Sequence, residues 1–200
     1  MNFRFPRFTL LAALFAAGAQ PVAEAAEYAD VNTTASTISF TYDQMGASVY
    51  GTFSRFEGSL YFDTVRPESA HARLIIELDS IDAGSSDANS ELKKTAWFDT
   101  AVYPQAIFES IGAKDLGNNR YQITGHLTLR GQTREVVVPV LLKAENAIGI
   151  FDGQLTLKRS DFNIGEGEFA SGVVSDDINI RFRMVAPQRS DQAMPVTEGR

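Results

Sequence analysis

The chain has 200 residues, 18 lysines and arginines against 25 aspartates and glutamates, a net charge of −7, and no cysteine. A chain this acidic repels nucleic acid and anionic membrane surfaces. The missing cysteine excludes disulfides, thiolate metal sites, thiol nucleophiles and lipoprotein-type acylation.

Met1 to Thr9 carries Arg4 and Arg7 and no acid, Leu10 to Ala17 is apolar, and Ala23-Glu24-Ala25 fits the small-residue pattern of a cleavage point. A basic start, a short apolar core and a small-residue exit predict a secretory signal peptide over residues 1–25, with Ala17-Gly18-Ala19 as an alternative cut. The apolar run is far short of the roughly 20 residues of a bilayer span, and no later segment spans one as a helix. The 175 residues left hold 16 basic and 24 acidic side chains. They suit one domain, over 26–186, which can bury a sufficient core without disulfides. Export from a Gram-negative cell would place it in the periplasm.

Strand patterns fill that domain. Ile38, Phe40 and Tyr42 alternate with polar residues, as do Leu74, Ile76 and Leu78, then Tyr121, Ile123, Leu127 and Leu129. Val136, Val138, Val140 and Leu142 share a face, as do Leu155 and Leu157, and Ile178, Ile180, Phe182 and Met184. Such period-two alternation marks strands with one face buried. Turn clusters separate about eight strands, near 35–43, 47–63, 70–80, 105–115, 119–130, 133–143, 147–160 and 173–186. The second changes phase between Val49–Phe53 and Phe56–Phe62, which a β-bulge near Ser54–Glu57 would correct. Gly51 and Gly58 would let it bend as a closing barrel requires. Pro139 cannot donate a ladder hydrogen bond and is expected at a bulge or at the barrel rim. Ser85 to Thr95 interrupts the strands as a short helix capped by Ser86 or Asp87, followed by Trp97-Phe98. Residues 187–200 have no periodicity and are expected to form a disordered tail. The fold class is therefore all-β and antiparallel with one short helix.

In this setting the chain resembles the YceI-like family, the polyisoprenoid-binding, extended-lipocalin-like proteins of bacteria. The resemblance rests on Val49-Tyr50-Gly51-Thr52-Phe53 with Phe56-Glu57-Gly58; on Leu78-Asp79-Ser80-Ile81-Asp82 through Glu91-Leu92-Lys93 to Trp97-Phe98-Asp99 and Phe108-Glu109-Ser110; on Gly125-His126-Leu127-Thr128-Leu129-Arg130-Gly131-Gln132-Thr133; and on Lys158-Arg159-Ser160-Asp161-Phe162 with Val174-Ser175-Asp176-Asp177. These pieces come in the family's order across nearly all of residues 27–186. The resemblance implies an eight-stranded antiparallel lipocalin-like barrel that binds a long isoprenoid, a quinone or a polyprenyl phosphate, in its interior. Ala35-Ser36 stands where members often carry His-Ser, and Glu91 where they often carry His. Contacts made by those histidines in relatives are therefore absent here.

Catalytic groups are sparse. His126 falls on the polar parity of its strand and His71 opens another; a lone outward histidine is ordinarily a solvated one. Zinc-ligand spacing, a G-x-S-x-G elbow and a phosphate-binding glycine loop are all missing, so neither a catalytic nor a metal site is expected. Aromatic side chains, by contrast, are spread over most strands. Barrels of eight strands either pack such residues solid or hold one ligand, and the pattern alone favours packing. The resemblance favours a lipid tube, lined by Phe40, Tyr42, Phe53, Phe56, Phe62, Ile76, Leu78, Trp97, Phe98, Phe108, Phe151, Phe162, Ile180 and Phe182. Lys93, Lys94, Arg130 and Arg134 are candidates for a head group, against the plain reading of solvated surface cations. Burying one five-carbon isoprene unit gains about 4 kcal/mol at about 0.8 per carbon, so affinity belongs to the chain and selectivity to the head. The expected function is non-enzymatic binding of an isoprenoid for transport or storage, without stable membrane insertion. A homodimer is compatible with the sequence. The competing reading is a binding or inhibitory module that acts through its outer surface around a packed interior.

Overall fold

The computed structural model describes residues 25–165 and 173–189. The predicted signal peptide, apart from Ala25, and the tail beyond Arg189 lie outside the described residues.

Turn chemistry sets the order of the sheet. Met45-Gly46, Asn118-Asn119 and Arg130-Gly131 all take positive φ, the conformation of two-residue hairpin turns whose twist matches that of the strands. They join β2 (Thr37–Gln44) to β3 (Ala47–Phe53), β7 (Gln105–Gly117) to β8 (Arg120–Leu129), and β8 to β9 (Gln132–Glu145). The remaining strands are β1 (Glu27–Ala29), β4 (Phe56–Asp63), β5 (His71–Glu77), β6 (Ile81–Asp82), β10 (Ile148–Lys158) and β11 (Asp177–Pro187). All pair antiparallel in one sheet, in the order β1-β4-β5-β7-β8-β9-β10-β11-β2-β3-β6.

Among the described residues the sheet has 11 strands where eight were predicted. Two long segments kink, and each counts twice. At Ser54-Arg55 the segment 47–63 divides into β3 and β4, at the position predicted for the bulge. Opposite it, a 3-10 turn at Leu78–Ser80 divides β5 from β6. Ser80 ties the two kinks together: its Oγ accepts the amide of Arg55 at 3.1 Å and donates to the carbonyl of Glu77 at 2.7 Å. Because β3 pairs with β6 and β4 with β5, segments 47–63 and 71–82 run side by side across the kink. Pairing of β11 with β2, and of β2 with β3, closes the ring. Eight segments thus form the wall. The eleventh strand, β1, fits between β4 and the end of β11, pairing Tyr28 with Phe62 and bridging Gln188. That bridge, with the Arg189 amide on the Glu27 carbonyl at 2.7 Å, carries ordered chain three residues past the predicted end of the domain.

The helix, α1 (Ser86–Leu92), is capped by Ser85, whose side chain accepts the Ala88 amide at 3.2 Å, and not by Ser86 or Asp87. Pro139 lies at neither a bulge nor the rim. It pairs in regular register with Gln122, and it is the first residue beyond the last β9–β10 pair, Val140 with Gly153.

The inner face carries the residues that alternation assigned to it. At one end Tyr28, Phe62, Tyr121 and Phe151 interlock edge to face, with Phe62 at 4.8 Å from Tyr121 and 5.3 Å from Phe151. This cluster fills that end of the barrel at the geometry aromatic pairs prefer.

Candidate lipid-binding cavity

Above that cluster the interior is hollow. A cavity of about 290 Å³ runs inside the wall and is lined by side chains from β2 through β11 and from α1. Its volume sits at the lower edge of ligand pockets, about 300–1,000 Å³. Of the side chains expected to line a tube, all but Phe56 and Phe162 do so. Phe56 packs against the core beside the cavity. Phe162 is 1% exposed and packs with Leu78 and Trp97. It belongs to a 3-10 turn, Arg159–Phe162, whose packing the aromatic pattern did not reveal.

Glycines make part of the bore. Gly153 pairs with Phe182, and Gly51 with Phe40; in each case the ring lies over the glycine so closely that no Cβ would fit. An aromatic covering a cross-strand glycine lets the wall curve without a hole behind the bend. At the other end Phe40, Phe53 and Phe98 continue the aromatic lining, with ring centroids 5.4 Å apart for Phe40–Phe53 and 6.4 Å for Phe53–Phe98. Ala88, Leu92, Trp97 and Phe98 bring α1 and its aromatic tail onto this end.

Polar groups on the lining are few: Gln44, Ser59, Glu91, Ser110 and Arg159 beside the phenols of Tyr42 and Tyr121. Burial pushes both phenols above their ordinary value, which keeps them neutral hydrogen-bonding groups. The Ser110 Oγ accepts the Ala72 amide at 2.7 Å, and Glu91 is paired with Lys94. Arg159 is 6% exposed. Its guanidinium donates to the carbonyls of Ile164 and Gly165 at 2.8 and 2.9 Å and reaches those of Ser175 and Val174. It also lies 6.0 Å from the Trp97 ring centroid. Four backbone carbonyls thus receive this buried cation, and it braces the segment beneath Trp97. Arg159 lies within the motif Lys158–Phe162, and nothing in that motif places it in the interior.

None of the predicted head-group cations lines the cavity. Lys93 faces Asp79 at 4.0 Å and Lys94 pairs with Glu91. Arg134 donates to the neighbouring Thr133 carbonyl at 2.9 Å. Arg130 donates to the Thr95 carbonyl at 2.6 Å and so fastens the β8–β9 turn to the chain after α1. His71 and His126 are both exposed. Ser36, at the position of the family's His-Ser pair, is buried structurally: its Oγ donates to the Asn32 carbonyl and accepts the Val185 amide. Among the described residues no cluster of three or more histidine, aspartate or glutamate side chains could hold a metal, and no helix is long and apolar enough to cross a membrane.

A closed ring of antiparallel segments around one apolar bore defines a lipocalin-like barrel. A YceI-like domain matches residues 30–186, and the chain belongs to that family. It is similar to Protein YceI of Salmonella arizonae, 32% identical over 165 residues, or 78% of this chain and 84% of the relative. The structure of BcnA from Burkholderia cenocepacia superposes with a TM-score of 0.75 at 35% identity, covering 78% of this chain and 99% of the other. A polyisoprenoid-binding domain from Saccharophagus degradans, implicated in plant cell wall breakdown, has the same fold, with a TM-score of 0.61 at 18% identity over 81% and 98% of the two chains.

Proposed function

We propose that this protein binds a long isoprenoid lipid inside the barrel and carries or stores it in the periplasm, with no chemistry of its own. The observation that carries this reading is the bore: a wall of aliphatic and aromatic side chains from every part of the sheet encloses space that packing has left empty. A linear hydrocarbon has no polar groups to satisfy and gains about 0.8 kcal/mol for each carbon buried, so such a bore suits it. The polyisoprenoid-binding relative of the same fold supports this ligand class, and the basic-apolar-small N-terminus supports export. The identity of the lipid, quinone or polyprenyl phosphate, rests with its head group.

Phe40→Asp tests the reading. It puts a carboxylate on the apolar lining against Phe53, where burying a charge is costly. Retention of a prenyl alcohol such as farnesol should be lost while the circular dichroism spectrum of the barrel survives. Unchanged retention in a folded Phe40→Asp protein would rule the bore out as the binding site.

A further inference from the structure

Charge is unevenly spread over the outer wall of the barrel. Register carries the outward side chains of β7 to β11 across the sheet in rows. One row runs Arg120–Leu141–Asp152–Arg183. The row on one side of it holds Lys143 beside Ile150. The row on the other side holds Lys114, Gln122 and Pro139, and is continued on β10 and β11 by Gln154 and Arg181. These three rows carry five cations against one acid, Asp152, on a chain of net charge −7. The next row, through Thr124 and Val137, holds no charge. Asp115 and Glu145 stand at the edges of the region.

Exposed aliphatic side chains lie among these cations: Leu116, Val137 and Leu141. Leu116 and Leu141 share a shallow depression of the outer wall with Arg120, Arg181 and Arg183. Asp152 is engaged by Arg183 and by Lys143, both at 2.8 Å. Arg120 and Arg181 are exposed, and neither side chain has an ion-pair or hydrogen-bond partner among the described residues.

We infer that the outer face of β8–β11 docks on an anionic lipid bilayer, with Arg120 and Arg181 against its phosphates and Leu116, Val137 and Leu141 against its interfacial hydrocarbon. Net charge sets repulsion at long range, but at physiological ionic strength charges act over only about 8 Å. A face of one sign therefore acts for itself once it is turned toward the surface. Exposed apolar side chains ringed by charge mark an interaction site, and a bilayer offers phosphate and hydrocarbon side by side. A barrel that carries a membrane lipid must also meet a bilayer to load it. The inference goes beyond that carrier reading, and its test needs no ligand in the bore.

The test is sedimentation of the protein with vesicles of phosphatidylcholine alone and of an equal mixture with phosphatidylglycerol. Wild type should bind the mixed vesicles, lose them in concentrated salt, and ignore phosphatidylcholine. Each basic residue near an anionic surface contributes about fivefold, so Arg120→Gln/Arg181→Gln should weaken binding about tenfold or more. Val137→Ser/Leu141→Ser keeps every charge and should weaken it about threefold or more through lost apolar contact. Lys93→Gln/Lys94→Gln removes as much charge from the α1 end and should bind like wild type. Circular dichroism verifies that each variant is folded. Absence of phosphatidylglycerol-dependent binding would overturn the inference, as would equal losses in the arginine and lysine variants. Binding that needs the arginines but is unmoved by the serines would overturn docking in favour of adsorption by charge alone. Farnesol retention should survive in both wall variants, so a failure here leaves the bore standing.

Discussion

Gly153→Ala probes the link between wall and bore at one atom. A Cβ on Gly153 would lie 2.1 Å from Cζ of Phe182 and 2.7 and 2.8 Å from its two Cε atoms. Carbon atoms in contact keep about 3.5–4.0 Å apart, so the Phe182 ring must leave its place, and the free space available to it is the cavity it lines. Overpacking of this kind costs about 1–3 kcal/mol. Alanine returns about 0.5–1 kcal/mol of the backbone entropy that glycine loses in a strand. The middle of these ranges leaves a net loss of about 1 kcal/mol, which for a domain of this size lowers Tm by roughly 2–4 °C. Thermal unfolding followed by far-ultraviolet circular dichroism measures it. Phe182→Leu removes the ring, so the two substitutions should not add: in the Phe182→Leu background the alanine should cost little or nothing. A Tm at or above that of wild type, or the same alanine cost with and without the ring, would refute the reasoning.

Arg159→Met should cost about 3 kcal/mol or more, because it leaves the carbonyls of Ile164, Gly165, Val174 and Ser175 short of a donor at about 1–3 kcal/mol for each group left buried; urea unfolding gives the value, and an unchanged midpoint would show that the brace is dispensable. Arg130→Ala removes the contact to the Thr95 carbonyl and should speed amide exchange at Trp97–Thr100 with little effect at β10; equal rates in the two proteins would contradict the fastening role. The Asp63 carboxyl is held below its ordinary value by the Val65 amide first and by Arg66 next. A depressed folded-state pKa gives stability that is present above the unfolded value of about 3.9 and is lost as pH falls through the folded value. Asp63→Asn should therefore flatten the acid limb of the stability profile below about pH 4, and an unaltered limb would count against that carboxylate.

The sequence made the wall legible because burial on one face writes period two into each strand: Ile38-Phe40-Tyr42 and Ile178-Ile180-Phe182-Met184 turn inward together. The phase change after Phe53 showed the kink for the same reason. Its partner at Leu78–Ser80 stayed hidden, since Leu78 keeps the alternation of β5 while the chain already turns. β1 was missed because three residues are too few for a period, and Tyr28 is buried by β4 and β11, far away in sequence. The tube lining was readable from parity and aromatic content. The cations were not, because a side chain on a turn shows nothing of what covers it. Arg159 is enclosed by residues 164–165 and 174–175, whereas Lys94 and Arg134 remain on the surface. Nor does any residue type announce where the β9–β10 ladder stops; Pro139 marked the place, and register alone explains it.

The central claim is that the bore holds an isoprenoid. Mass spectrometry of the protein purified from the periplasm without detergent, in the native state and after organic extraction, tests it most directly. A stoichiometric prenyl lipid released on extraction is the predicted result. A bare polypeptide mass that stays unchanged after incubation with quinones and polyprenyl phosphates would contradict the account.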